Sequence, residues 1–219
     1  MDRSRPPLRF AALLIAGLLV TTASGCIHML LFTPYYLLKG HDVPADYKGL
    51  EGKRVVVVCR PPTSLEYRYG SVDREIAKRV GSLLAQNVKK IDVVKWTDVE
   101  QWIDEQDFED VDQLGKAVKA QMVVEIDLEE FSLDKGSTLR QGKANLTLTV
   151  YDMENGGQDV YQKPLNEILY PFNGGVPVQE KPEVEFRREF LTIVSERIGR
   201  HFYKHDPHLD FASDSDAYH

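Results

Sequence analysis

Three features of the sequence predict an α/β (α+β) domain built on one mixed sheet with helices mainly on one face. Four consecutive valines, Val55 to Val58, read as a strand covered on both sides. Two segments after residue 120 alternate apolar and polar residues with the period of a half-buried strand. Around them, apolar residues recur at three-to-four spacing, as in helices that bury one stripe. The expected order is β-α-β-α-α-β-β-β-α.

The first strand covers Arg54 to Cys59 and is stopped by Pro61-Pro62. A helix follows, with Ser71 as its expected N-cap and Asp73 and Glu75 in its first turn. Val72, Ile76, Val80, Leu83, Leu84 and Val88 form its apolar stripe. Ile91 to Val94 predicts a short strand, and Thr97 opens a small helix containing Val99, Trp102 and Ile103. Val111 to Ala120 predicts another, facing inward through Leu114 and Val118. Met122, Val124, Ile126 and Leu128 alternate with Val123, Glu125, Asp127 and Glu129. Ala144, Leu146, Leu148 and Val150 alternate with Asn145, Thr147, Thr149 and Tyr151, so one face is buried and the other wet. Asp134-Lys135-Gly136 and Glu154-Asn155-Gly156-Gly157 are turn sequences, which makes strands three to five an antiparallel meander. Pro171, Gly174, Gly175, Pro177 and Pro182 mark a long loop. A closing helix is expected from Glu183 to about Tyr203, burying Phe186, Phe190, Ile193, Val194, Ile198 and Phe202.

The amino terminus carries Arg3, Arg5 and Arg9, then an apolar run from Phe10 to Val20, then Ala23-Ser24-Gly25-Cys26. Basic, apolar and small residues in that order form an export signal. The last four residues resemble a bacterial lipobox, with Ala23 where leucine is usual, and identify Cys26 as the lipidated residue. An uncleaved span over residues 8–38 is the rival reading. It is disfavoured because Thr21 to Gly25 interrupt the run and Pro34 breaks a helix. The expected organisation is a signal peptide over 1–25, a lipidated tether and interfacial linker over 26–52, one domain over 53–204 and a flexible tail over 205–219. Tyr35 and Tyr36 suit the membrane interface. By the sorting rule of enteric lipoproteins, Ile27 after the cysteine favours the outer membrane, with the domain facing the periplasm.

Apolar residues at 42% and charged residues at 28% are the balance of a globular chain of 219 residues. Removing residues 1–25 leaves 24 basic against 33 acidic residues, a formal charge of −9. That sign repels phosphate backbones and argues against a nucleic-acid partner. The second cysteine, Cys59, lies in the valine run and reads as a buried small hydrophobe.

Four constellations bear on chemistry. Gly136 to Lys143 superficially resembles a phosphate loop, but it has five residues between its glycines and enters a strand. Eight acidic residues and no basic one lie between Asp98 and Asp112 without a calcium-loop register. They read as a solvated face, with docking of a basic partner as the functional alternative. His201, His205 and His208 are weak metal candidates: the first two are four apart, but Pro207 intervenes and no cysteine joins them. Ser71, Ser82, Ser132 and Ser195 sit in no nucleophile elbow. No catalytic residue and no cofactor is expected.

Lys53 to Cys59 with the helix after it, and above all GKAVKAQMVVEIDLEEF from Gly115 to Phe131, resemble a group of envelope proteins. The group comprises the amino-terminal domain of TolB, the curli-secretion lipoproteins, and lipoproteins that activate peptidoglycan synthases. The resemblance covers about residues 53–151. It implies a strand, helix, strand, helix and then antiparallel strands, with a small-residue-rich helix entering a strand. Pore formation is not implied, because the strands carry Glu125, Asp127, Lys143 and Asn145 where a pore needs lipid-facing hairpins. The expected function is therefore a membrane-tethered, non-catalytic module that binds an envelope protein or peptidoglycan. A metal-binding protein using the histidines, or an enzyme with a dispersed site, are the alternatives.

Overall fold

The computed structural model describes residues 42–62, 65, 69–105 and 110–207. The expected signal peptide, Cys26, most of the tether, His208 and the end of the tail lie outside the described residues. Among the described residues, no helix is long and apolar enough to cross a membrane.

The elements are β1 (Arg54–Arg60), α1 (Val72–Asn87), β2 (Asp92–Val93), α2 (Trp96–Glu105), α3 (Val111–Ala117), β3 (Met122–Lys135), β4 (Leu139–Asp152), β5 (Gln158–Tyr170), β6 (Val176–Pro177) and α4 (Glu183–Gly199). This is the expected order with one added two-residue strand in the proline-glycine loop. The strands form a mixed sheet in the order β2-β1-β3-β4-β5, with β6 beside β4. β1 is parallel to both β2 and β3, and β3, β4 and β5 run antiparallel.

The valine run explains the layering. Val55 and Val57 enter the main core with residues of α1 and α4, whereas Val56 and Val58 enter a second cluster with Val99 of α2 and Leu114 of α3. All four valines are at most 4% exposed. A strand with apolar side chains on both faces must be covered twice, and here two long helices cover one face and two short ones the other. Further along the sheet only one face needs cover. Ile126, Leu128, Leu146 and Leu148 lie in the main core at 0% exposure, while Asp127 and Glu129 are exposed to water.

Two bulges are tied together by one side chain. Asn145 donates to Glu130 Oε2 at 2.7 Å, where β3 slips against β4, and accepts the Glu167 N–H at 2.6 Å, where β5 slips against β4. Glu167 holds a left-handed φ of 55° there, a conformation that disfavours side chains and is common at bulges.

Several sequence expectations are corrected. The spacer expected to run to residue 52 is shorter, because the compact unit begins at Val43. Val43 pairs with His205 through hydrogen bonds of 2.8 and 3.1 Å, and the Tyr47 N–H reaches the His201 carbonyl at 2.9 Å. The Tyr47 ring lies 5.1 Å from Tyr161, and Leu50 is 1% exposed. For the same reason the domain does not end at residue 204, since His205 belongs to that bridge. α4 stops at Gly199 rather than Tyr203, because Tyr203 folds back until its hydroxyl would lie 2.7 Å from a Cβ on Gly199. α3 likewise ends at Ala117, and Lys119 takes a left-handed φ of 55°. Ser71 occupies the N-cap position of α1 without capping it: its φ is 75° and its side chain makes no cap hydrogen bond. Arg187 of α4 instead holds it, donating to the Ser71 hydroxyl, the Gly70 carbonyl and Glu75 at 3.0–3.3 Å.

Gly142 is required by packing. A Cβ there would lie 2.5 Å from the Phe190 ring, which is itself fully buried against Phe131 at 5.2 Å. Gly142→Ala is therefore expected to cost about 1–3 kcal/mol by overpacking, measured as a lower urea midpoint at unchanged slope. A loss below about 0.5 kcal/mol would mean that α4 sits less tightly on β4 than described.

Candidate functional site: the open side of the sheet

α2 and α3 cover only β1 and the start of β3, so the face they share continues uncovered across β3, β4 and β5. The register sets its floor: Glu125 opposes Thr149, Asp127 opposes Thr147, and Glu130 opposes Asn145. Thr149 lies opposite Gln162, and Thr147 opposite Pro164. Cross-strand hydrogen bonds pre-arrange it. Thr147 donates to Glu129 at 2.8 Å, and Lys143 reaches Glu130 at 2.9 Å.

Glu125 marks the boundary between covered and open sheet. Part of the face expected to be wet is closed here, because Glu125 is 7% and Thr149 6% exposed. The carboxylate is compensated by Arg60 Nη2 at 2.8 Å and by the Tyr151 hydroxyl at 2.9 Å. A buried charge persists only with such partners. Desolvation, followed by the bond to Glu125, pushes the Tyr151 phenol up to about 12.

The acidic stretch lies on this same side of the sheet. Part of it is structural: Asp110 caps α3 by accepting the Asp112 N–H at 2.9 Å, and Asp112 pairs with Lys116. Arg74 of α1 binds Glu100 at 3.1 Å and Asp104 at 2.9 Å. Asp98 and Glu105 have only uncharged hydrogen-bond partners among the described residues, namely Thr97 and Gln101. Trp102 is partly buried and packs on the second core.

A cleft of about 360 Å³ opens at the carboxyl end of β1, between Arg60, Asp73, Arg74, Trp96 and Glu100. Open α/β sheets commonly bind ligands there, yet both guanidinium groups already hold carboxylates of the chain. Cys59 lines this cleft and is buried, as expected. Desolvation first, then the charges of Asp73, Asp127 and Glu125, raise its thiol well above the usual range. It stays protonated, and a protonated thiol is a poor nucleophile. The hydroxyls of Ser82 and Ser195 donate to carbonyls of their own helices. Gly136 to Lys143 forms the β3–β4 hairpin, as the sequence predicts.

The histidines are not brought together as a helical pair, because α4 has already ended. His201 Nδ1 lies 2.8 Å from Asp46 Oδ2 and 3.3 Å from the Tyr161 hydroxyl. His205 Nδ1 faces the Tyr203 carbonyl at 3.4 Å. Among the described residues no group of three or more His, Cys, Asp or Glu side chains is arranged to hold a metal ion. Sequence reading missed the Asp46–His201 contact, since 155 residues separate the partners. It missed Arg60 as the counter-ion of Glu125 for the same reason.

Among the described residues, fold and surface together define an α/β fold whose mixed sheet has one open, acidic side. No family model and no curated protein matches the sequence. Among solved structures, the chain is similar to the PelC dodecamer from Paraburkholderia phytofirmans, at 9% identity and a TM-score of 0.43, over 75% of this chain and 97% of that one. It is similar to the lipoprotein GNA1162 from Neisseria meningitidis, at 10% and 0.41, over 66% and 95%. It is also similar to the LpoB C-terminal domain from Salmonella enterica, at 15% and 0.36, over 59% and 87%. Likeness of this degree carries no argument about activity or partner.

Two outcomes are expected. Native Cys59 should react with iodoacetamide at least about a hundredfold more slowly than in urea; equal rates would show an exposed thiol. The hydrogen bond from His201, its charge and that of Lys163 hold the Asp46 carboxyl below its usual range. Stability from a lowered carboxyl pKa is present above the unfolded value and is lost as pH falls through the folded one. Asp46→Asn should therefore be less stable near neutrality, by under about 1 kcal/mol for so exposed a pair. The gap should close as denaturation is followed down to about pH 3; a gap independent of pH would remove the carboxylate from the clasp.

Proposed function

We propose that the chain is a lipid-tethered, non-catalytic module of the bacterial envelope that binds another protein through the open side of its sheet. The observation that carries this reading is the uncovered floor of β3, β4 and β5, largely polar and pre-arranged by its own cross-strand bonds. Such a floor offers little concavity for a small molecule, which binding sites usually provide. It offers aligned donors and acceptors to a second protein. The tether rests on the signal pattern and on Cys26; Ile27 favours the outer membrane, with the domain in the periplasm. The absence of catalysis is supported by the protonated Cys59 and by the serine hydroxyls spent on helix carbonyls. Peptidoglycan is the competing reading, which the crosslink below separates from a protein partner.

Palmitate labelling should be lost in Cys26→Ser. A photo-crosslinking amino acid at Thr147 should capture a discrete protein from intact envelopes, whereas one at Lys78 on α1 should not. Capture of glycan alone from Thr147, or the same product from both positions, would overturn the reading.

A further inference from the structure

On the same side of the sheet, where α2 and α3 cover it, lies a cavity whose lining has a specific chemistry. α2 presents Asp98, Gln101, Trp102 and Glu105 at positions i, i+3, i+4 and i+7, one face of a helix. Opposite them lie Val94, Ala117, Val118, Lys119 and Arg54, enclosing about 380 Å³. Walls of this kind accept an apolar stem, and an indole with two carboxylates accepts a cationic head.

The charges are divided along α2. Glu100 and Asp104 both pair with Arg74, on the side away from this cavity. Asp98 and Glu105, which line it, pair with no cation among the described residues; Thr97 and Gln101 orient them through hydrogen bonds of 3.2 and 3.0 Å. Of the two basic residues in the lining, Arg54 is committed, with Nη1 on Asp92 at 2.6 Å and Nε on the Val118 carbonyl at 3.3 Å. Lys119 also lines the cavity and is exposed, and its single charge is outnumbered by the two carboxylates. The cavity thus holds an uncompensated negative charge beside an aromatic wall.

We infer that the cavity between α2 and α3 receives a lysine or arginine side chain from a basic segment of a partner protein. This rests on the reading of the open side as a protein-binding surface and names the chemistry of what binds there. Charge sign selects the occupant, because anionic lipid headgroups and nucleic acid are repelled by the same carboxylates.

The test uses the full chain in neutral detergent with Trp96→Phe, so that Trp102 is the remaining indole fluorophore. The probe is a blocked Arg-Gly-Arg-Gly-Arg peptide, with its Glu counterpart as control. Saturable quenching by the arginine peptide is expected, with none by the glutamate peptide. The isosteric pair Asp98→Asn/Glu105→Gln should weaken binding at least about fivefold, and Lys119→Gln should tighten it about twofold. Glu180→Gln/Glu185→Gln, an equal charge change on an exposed loop and the start of α4, should leave it unchanged. Absence of saturable binding, or equal losses in the two double variants, would overturn the inference. Crosslinking at Thr147 is independent of this result: capture there without peptide binding would keep the open-side reading and remove only the basic partner.

Discussion

β1 is apolar on both faces, and the rest of the domain follows from the need to cover it twice. α1 crosses one face on the way to β2, and α2 with α3 crosses the other on the way to β3. The two parallel neighbours therefore lie on opposite sides of β1. Once β3 is in place, two hairpins extend the sheet away from the doubly covered strand. Only one face of that extension is apolar, and α4 with α1 buries it. The opposite face needs no cover because its side chains are mostly polar, bonded across the strands or left in water. The open side is the complement of the covering that Val56, Val58 and Val123 require.

Electrostatics changes character across that boundary. Glu125, next to the second core, is nearly dry and is held by Arg60 and Tyr151. Its neighbours Asp127 and Glu129, on the same face, remain in water. A carboxylate costs little in water and several kcal/mol in a dry site unless paired. The guanidinium at the end of β1 is thus a structural counter-ion. The same logic separates Glu100 and Asp104, which Arg74 binds, from Asp98 and Glu105, which face a cavity of the opposite requirement.

The segment before β1 illustrates how a chain of polar, glycine-containing sequence becomes part of a domain. Leu50 fills a position in the main core, Tyr47 lies against Tyr161 and Phe202, and the backbone at Val43 pairs with His205. The backbone at Val43 is thereby held beside the residues that follow α4. Isolated apolar residues among Gly, Pro and Lys carry no periodicity, so a local reading assigns them to a spacer. Their burial is decided by partners more than a hundred residues away.

What the sequence determined by itself is what depends on near neighbours. The period of two in β3 and β4, the valine run, the helical stripes of α1 and α4, and the turn residues between strands all act within a few positions. They specified the element order and the mixed sheet. The acidic character of the α2–α3 region and the polar alternation of Glu125, Asp127 and Asn145 were equally legible. Only the tertiary structure decided that these two features share one side, that Glu125 is dry while Asp127 is wet, that α4 ends at Gly199, and that Ser71 is held by Arg187 instead of capping α1. Each of those outcomes rests on contacts between distant segments, whose free energy is set by which surfaces the packed sheet brings together.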